Sequence, residues 1–275
     1  MPEVVPGRAR IGISGWTYPS WRGVFYPRGL VHRLELQYAA EQFPTVECNG
    51  SFYATLRPAT YERWHAGTGD DFVFAVKGPR FVTHLKRLRE VEVPLANFFA
   101  SGVLGLREKL GPLLWQLPPN LAFDASLLER FFTLLPPSTA AAAALAKQHD
   151  ERVAGHTLTE TDADRPLRHA LEVRHESFMA AECLDLCRRH GVALVVADTA
   201  GRWPLVAEPT AGFVYVRLHG EHELYSGGYS DPALDRWAAS VRGWADGGRD
   251  VYVYFDNDID AHAPLDARRL LGRLG

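Results

Sequence analysis

The chain has 275 residues, 47% of them hydrophobic and 23% charged, a globular composition that supports a substantial core and leaves little room for long disorder. A formal net charge of −3 at pH 7 excludes the global basic field that draws a whole protein to nucleic acid or an anionic membrane, so any anion site must be local. Three cysteines, Cys48, Cys183 and Cys187, are too few and too oddly numbered for a disulfide framework and suit a reducing compartment. Met1 to Arg10 lack an apolar leader core, and no apolar run approaches the ~18 residues of a membrane span. The expectation is therefore a cytoplasmic protein with no membrane partner.

In chain order, short β-branched or aromatic runs predict strands over Ile11–Ser14, Thr45–Asn49, Phe72–Lys77, Leu113–Leu117, His169–Arg174, Val192–Asp198, Phe213–His219 and Val251–Asn257. Each is nearly continuous in apolar character, as a parallel strand covered on both faces should be. Helical patterns lie between them. One begins near Leu34 and ends at Phe43; a second carries Leu95, Phe98, Phe99, Val103, Leu106 and Leu110 on one face and stops at Gly111 and Pro112. Others run from Ser126 to before Pro136, from Met179 to Gly191, and from Asp231, read as N-cap, to Gly247 and Gly248. The fourth crossover is extended, with an alanine-rich helix over Ala140–Lys147 followed by a polar excursion from Gln148 to Pro166. The sixth, Thr199–Gly212, is too short and too broken by Pro204 and Pro209 for a normal crossover helix. Length alone leaves two small domains open. The alternation predicts an α/β fold, a single TIM-type (β/α)8 barrel domain over residues 1–275.

Polar groups gather at the carboxyl ends of these runs, where barrel enzymes place their chemistry. In order they are Ser14 and Trp16, Glu47 and Asn49, Lys77, Gln116, Glu172 and Arg174, Asp198, Arg217 and His219, and Asn257. Residues two apart on a strand share a face, so Glu47 with Asn49, Glu172 with Arg174, and Arg217 with His219 are expected to point together toward one end of the barrel. The first strand-to-helix loop concentrates Trp16, Tyr18, Trp21, Phe25 and Tyr26, a surface able to stack on a ring. The seventh places Gly220, Gly227 and Gly228 beside Tyr225 and Tyr229, as a hinged cover would. A purely structural salt-bridge layer, with Glu47 and Glu172 neutralising Lys77, Arg174 and Arg217, is the competing explanation.

The ordered pieces Ser14-Gly15-Trp16, Phe25-Tyr26-Pro27, Val46-Glu47 with Asn49, Ser51-Phe52-Tyr53, Thr83-His84, Gln116-Leu117-Pro118-Pro119, Glu172 with Arg174-His175, Tyr215-Val216-Arg217 with His219-Gly220, and Phe255 with Asn257 resemble the YecE-like family, domain-of-unknown-function family 72. Cys48 and Gly50 depart from that pattern. The resemblance implies a TIM-type barrel and supplies no activity.

Three functions follow from the residues. The first is an enzyme using acid/base chemistry on a small anionic, ring-bearing substrate: a sugar phosphate, a nucleotide or a nucleic-acid end. Lys77, Arg174 and Arg217 would hold the anion. Glu47 or Glu172 would be general base and His219 general acid; Asn49, Gln116 and Asn257 would orient hydroxyls, with Trp16 and Tyr225 lining the ring. The second is a divalent-metal hydrolase or isomerase drawing on Glu47, Glu172, Asp198, His175, His219 and His262, although no fixed ligand spacing appears. The third is a non-catalytic nucleic-acid or effector binder using His84, Lys86, Arg87 and Arg89. No GxGxxG, P-loop or GxSxG motif marks a nucleotide cofactor or a covalent serine, and neither the cofactor nor the oligomeric state is specified.

Overall fold

The computed structural model describes residues 5–275; the first four, part of the start read as leaderless, lie outside the described residues. In chain order the regular elements are β1 (Ala9–Ser14), α1 (Glu35–Gln42), β2 (Thr45–Cys48), α2 (Gly50–Tyr53), α3 (Pro58–Ala66), β3 (Val73–Lys77), α4 (Glu92–Ala100), β4 (Leu110–Gln116), α5 (Ala125–Leu134) and α6 (Thr139–Ala146). They continue with β5 (His169–Glu172), α7 (Ala181–His190), β6 (Ala193–Leu194), β7 (Val196–Asp198), β8 (Phe213–Leu218), α8 (Asp231–Asp246), β9 (Asp250–Phe255) and α9 (His262–Leu274). This succession of parallel strands and helices is an α/β, TIM-type (β/α)8 fold, as the sequence predicts. The chain forms two compact units, one built from residues up to Glu47 with Ala193–Gly275, the other from Cys48–Val192.

In the first unit β1 pairs in parallel with β2 and β9, β9 with β8, and β8 with β7. The register sets Ser14 opposite Glu47 and Arg217 opposite Tyr254, so the polar strand ends stand level. Below them Ile11, Ile13, Val46, Val214, Val216, Val251 and Val253 are buried, each contributing roughly 1.5–3 kcal/mol of apolar transfer. The sixth predicted strand is interrupted: β6 and β7 flank Val195 instead of forming one run. Residues 199–212 carry no helix or strand, as their prolines require. Helix α8 begins one residue earlier than expected. Ser230, not Asp231, is the N-cap, its hydroxyl accepting from the Ala233 amide, and Asp231 with Pro232 opens the first turn.

In the second unit β4 lies between β3 and β5. The helix expected across Leu95–Leu110 is broken. α4 ends at Ala100, Gly102 turns left-handed with φ 109°, and a 3-10 segment Val103–Lys109 follows. That glycine cannot carry a side chain there, since a Cβ would lie 2.4 Å from the Pro58 backbone. Pro112, expected to stop the helix, instead stands inside β4. The pairing passes from Phe74 with Leu110 to Val76 with Leu113, leaving an extra residue on β4, and proline is tolerated at such a bulge. The alanine helix is present as α6, capped by the Ser138 hydroxyl. The helix α3 carries no clear apolar stripe in sequence and was not among the predicted elements.

Candidate functional site

Two clusters of polar side chains stand at strand ends, one in each unit. In the first unit, alternation along β8 places Tyr215 and Arg217 on one face, and His219 follows the strand's last residue with its amide bonded to the Asp198 carbonyl. Glu47, at the end of β2, accepts from Ser14 Oγ at 2.6 Å, Tyr215 Oη at 2.6 Å, and Arg217 through Nε at 3.0 Å and Nη2 at 2.8 Å. The Arg217 contact is a two-pronged fork matched to the carboxylate plane. Both charges are withdrawn from water, with Arg217 1% and Glu47 0% exposed. One layer deeper, Thr45 and Tyr254 hydroxyls share a 2.8 Å hydrogen bond. Burial and the Glu47 charge push the Tyr215 phenol well above its ordinary range, so it stays a donor.

Asp256, just past β9, lies 3.0 Å from Arg217 Nη2 and 2.8 Å from His219 Nδ1. Because guanidinium can only donate, the 3.3 Å contact of Arg217 Nη1 makes His219 Nε2 the acceptor. Tyr225 holds its ring 5.4 Å from that of His219 and its amide donates to the His219 carbonyl. Tyr18, read in sequence as part of the aromatic first loop, and Asp258, which the sequence reading did not single out, complete this edge. Tyr18 Oη donates to the Ser14 carbonyl at 2.9 Å. Asp258 is raised to about 6 by burial and by the Asp256 charge, with the Tyr18 hydroxyl opposing.

Other predicted residues of this unit are committed locally. Asn257 donates to the Gly227 carbonyl at 2.8 Å and to Asp266 at 2.9 Å, anchoring the seventh loop to α9. Asp198 accepts from Tyr229 Oη at 3.1 Å and is raised by burial. Trp16 is 9% exposed, and its carbonyl accepts from Tyr26 Oη.

In the second unit Gln116 and Glu172 face each other across the β4–β5 register, and the Gln116 amide donates to both carboxylate oxygens at 2.9 and 3.1 Å. Arg174 reaches back from beyond the strand, its Nε 3.0 Å from Glu172 Oε1. Lys77, 6% exposed, places Nζ 4.3 Å from the centre of the Phe52 ring. The His84 ring stands 5.1 Å from Phe52 and its Nδ1 is 2.9 Å from Thr83 Oγ1. Burial first, then Lys77, Arg174 and Arg80, lower His84 to about 4 against the opposing pull of Glu172. Phe52 and His84 were therefore site neighbours that only tertiary contact exposes. Gly78 follows Lys77 because a Cβ there would lie 2.3 Å from the Trp115 ring on β4.

Asn49 departs from the expected alternation. β2 stops at Cys48, and Asn49 is helical at φ −92°, ψ −15°, heading α2, so the rule that residues two apart share a face does not reach it. His175, a candidate metal ligand, caps the turn Glu176–Met179 by accepting from the Ser177 amide. Among the described residues no group of three or more His, Cys, Asp or Glu side chains is arranged to hold a metal ion. In the basic segment Arg87 donates to the Asn120 carbonyl at 2.7 Å and Lys86 pairs with Glu90 at 3.2 Å. No helix among the described residues is long and apolar enough to cross a membrane.

Parallel strands with charged residues at their carboxyl ends define a protein of the TIM-type barrel class. The pattern of the family described as "Protein of unknown function DUF72" matches residues 10–275, and the chain belongs to that family. A DUF72 family protein of Thermotoga maritima superposes with a TM-score of 0.78 at 24% identity, over 97% of this chain and 99% of that one. A second, from Enterococcus faecalis, gives 0.74 at 14% identity over 97% and 95%. The UPF0759 protein YecE of Escherichia coli K12 is 32% identical over 108 residues, a stretch that spans 39% of this chain and 37% of that relative.

Proposed function

We propose that the protein is an enzyme using acid/base chemistry on a small anionic, ring-bearing substrate, a sugar phosphate, a nucleotide or a nucleic-acid end. The observation that carries this reading is the second cluster, where two largely buried cations, Lys77 and Arg174, stand at strand ends beside the Phe52 and His84 rings. A phosphate or carboxylate there would receive charge-assisted hydrogen bonds in a setting of low dielectric, where each is worth more than in water. Glu172, oriented by Gln116, is the base of that cluster. In the other unit, His219, beside Asp256, and Asp258 are acid/base groups, Asp258 because burial raises it to about 6 and a group titrating near working pH transfers protons most effectively. Glu47 and Arg217, with their bonds satisfied by one another, Ser14 and Tyr215, position His219. In that unit Trp16 and Tyr225 serve as substrate-side walls, and Asn257, bonded to Gly227 and Asp266, holds the seventh loop; in the second unit Asn49 serves as a hydroxyl contact.

The same reading takes the chain as a single barrel domain working in the cytoplasm; its cysteines, all buried and outside any disulfide, are consistent with a reducing compartment. Calorimetric titration with inorganic phosphate and with sugar monophosphates tests the anion site. Arg174→Ala and Lys77→Ala should each weaken a bound anion about 10- to 100-fold, the loss of one hydrogen bond to a charged group. An anion that binds the wild type and both variants equally removes the proposal.

A further inference from the structure

A cavity of about 220 Å³ opens in the second unit, and its lining includes none of the strand-end cluster residues Lys77, Gln116, Glu172 and Arg174. Leu56, Pro79, Phe81, Val82, Phe98 and Val153 give it apolar walls. Its lining also includes Tyr61, whose side chain is wholly buried and whose hydroxyl has no hydrogen-bond partner. The neighbouring hydroxyls are turned to backbone carbonyls and do not donate to it: Ser51 Oγ donates to the Lys77 carbonyl at 2.7 Å and Ser101 Oγ to the Phe98 carbonyl at 2.7 Å. A buried hydroxyl left without a partner costs roughly 1–3 kcal/mol, and so large a polar-floored space is unusual in an interior packed to crystal density. Burial also drives the Tyr61 phenol well above its ordinary range, so it keeps its proton and remains able to donate. Access is from the rim, where Ala54, Thr55 and Arg152 are exposed.

We infer that this cavity is a second binding site, for a neutral, ring-sized apolar molecule carrying one hydrogen-bond acceptor. An apolar cavity of ~150 Å³ is enough to take benzene, so the space fits one six-membered ring with a small substituent. The apolar walls select the ring and the Tyr61 hydroxyl selects the acceptor. Nothing in this assignment needs a charge, and the site uses no residue of the acid/base clusters.

Phenol and toluene are the probes, equal in size and differing in the oxygen. Binding to the full chain is followed by calorimetry and by saturation-transfer NMR. Phenol should bind more tightly than toluene by about 2- to 12-fold, the value of one net hydrogen bond. Tyr61→Phe should keep toluene binding and abolish that preference. Val82→Phe, which fills the cavity, should remove both ligands while leaving phosphate binding at Arg174 unchanged. The inference is overturned if neither probe binds at millimolar concentration, if Tyr61→Phe leaves the preference intact, or if Val82→Phe, shown folded by its circular dichroism, still binds either probe.

Discussion

Replacing Arg217 with methionine is the sharpest test of how the first cluster is held together. Methionine keeps most of the volume and removes the charge, so packing changes little. What changes is Glu47. Its carboxylate, fully buried, loses the fork at 2.8 and 3.0 Å and retains only the Ser14 and Tyr215 hydroxyls, while Asp256 loses its 3.0 Å contact. Breaking a buried pair by removing one partner costs about 3–5 kcal/mol, because the remaining charge stays desolvated without compensation. For a chain of this size that is roughly a 10 °C fall in Tm. Urea unfolding followed by tryptophan fluorescence measures it. Adding Glu47→Gln to Arg217→Met should restore more than half of the loss, since the amide carries no charge. A single-variant loss below about 1 kcal/mol, or a double variant no more stable than the single one, would refute the claim that desolvated charge dominates this layer.

Proton linkage makes a second prediction, with two groups of opposite sign. His84 is lowered from 6.5 to about 4, so between those values the unfolded chain binds the extra proton and stability falls as pH falls through that window. Asp258 is raised from 3.8 to about 6, so its contribution is present below the unfolded value and is lost as pH rises through about 6. Stability between pH 4 and 6 should therefore change little in the wild type and rise with pH in Asp258→Asn; a flat profile in that variant is the contrary result. Arg174→Ala should move the His84 midpoint upward in an NMR titration, because one of the cations lowering it is gone. Gly78→Ala drives a methyl to within 2.3 Å of the buried Trp115 ring and should destabilise by about 1–3 kcal/mol in the same urea assay. Ser230→Ala removes the cap on the Ala233 amide and should cost about 1 kcal/mol, which distinguishes Ser230 from Asp231 as the start of α8.

The amino-acid sequence by itself determined the strand–helix alternation, because a parallel strand covered on both faces must be apolar throughout and its helices must carry one apolar stripe. It also determined which strand ends carry Glu47, Lys77, Gln116, Glu172, Arg174 and Arg217, since charge is rare in such runs and shows against them. It could not show that α4 stops at Gly102 or that Pro112 is absorbed by a bulge, because these depend on the Pro58 backbone and on the pairing of β4 with β3. Nor could it pair Glu47 with Arg217 and Tyr215, bring Phe52 and His84 to Lys77, or leave the Tyr61 hydroxyl in a cavity. Those contacts join residues far apart in the chain. Local propensity carries no information about which distant group will satisfy a buried charge or fail to satisfy a buried hydroxyl; only the packed fold decides that.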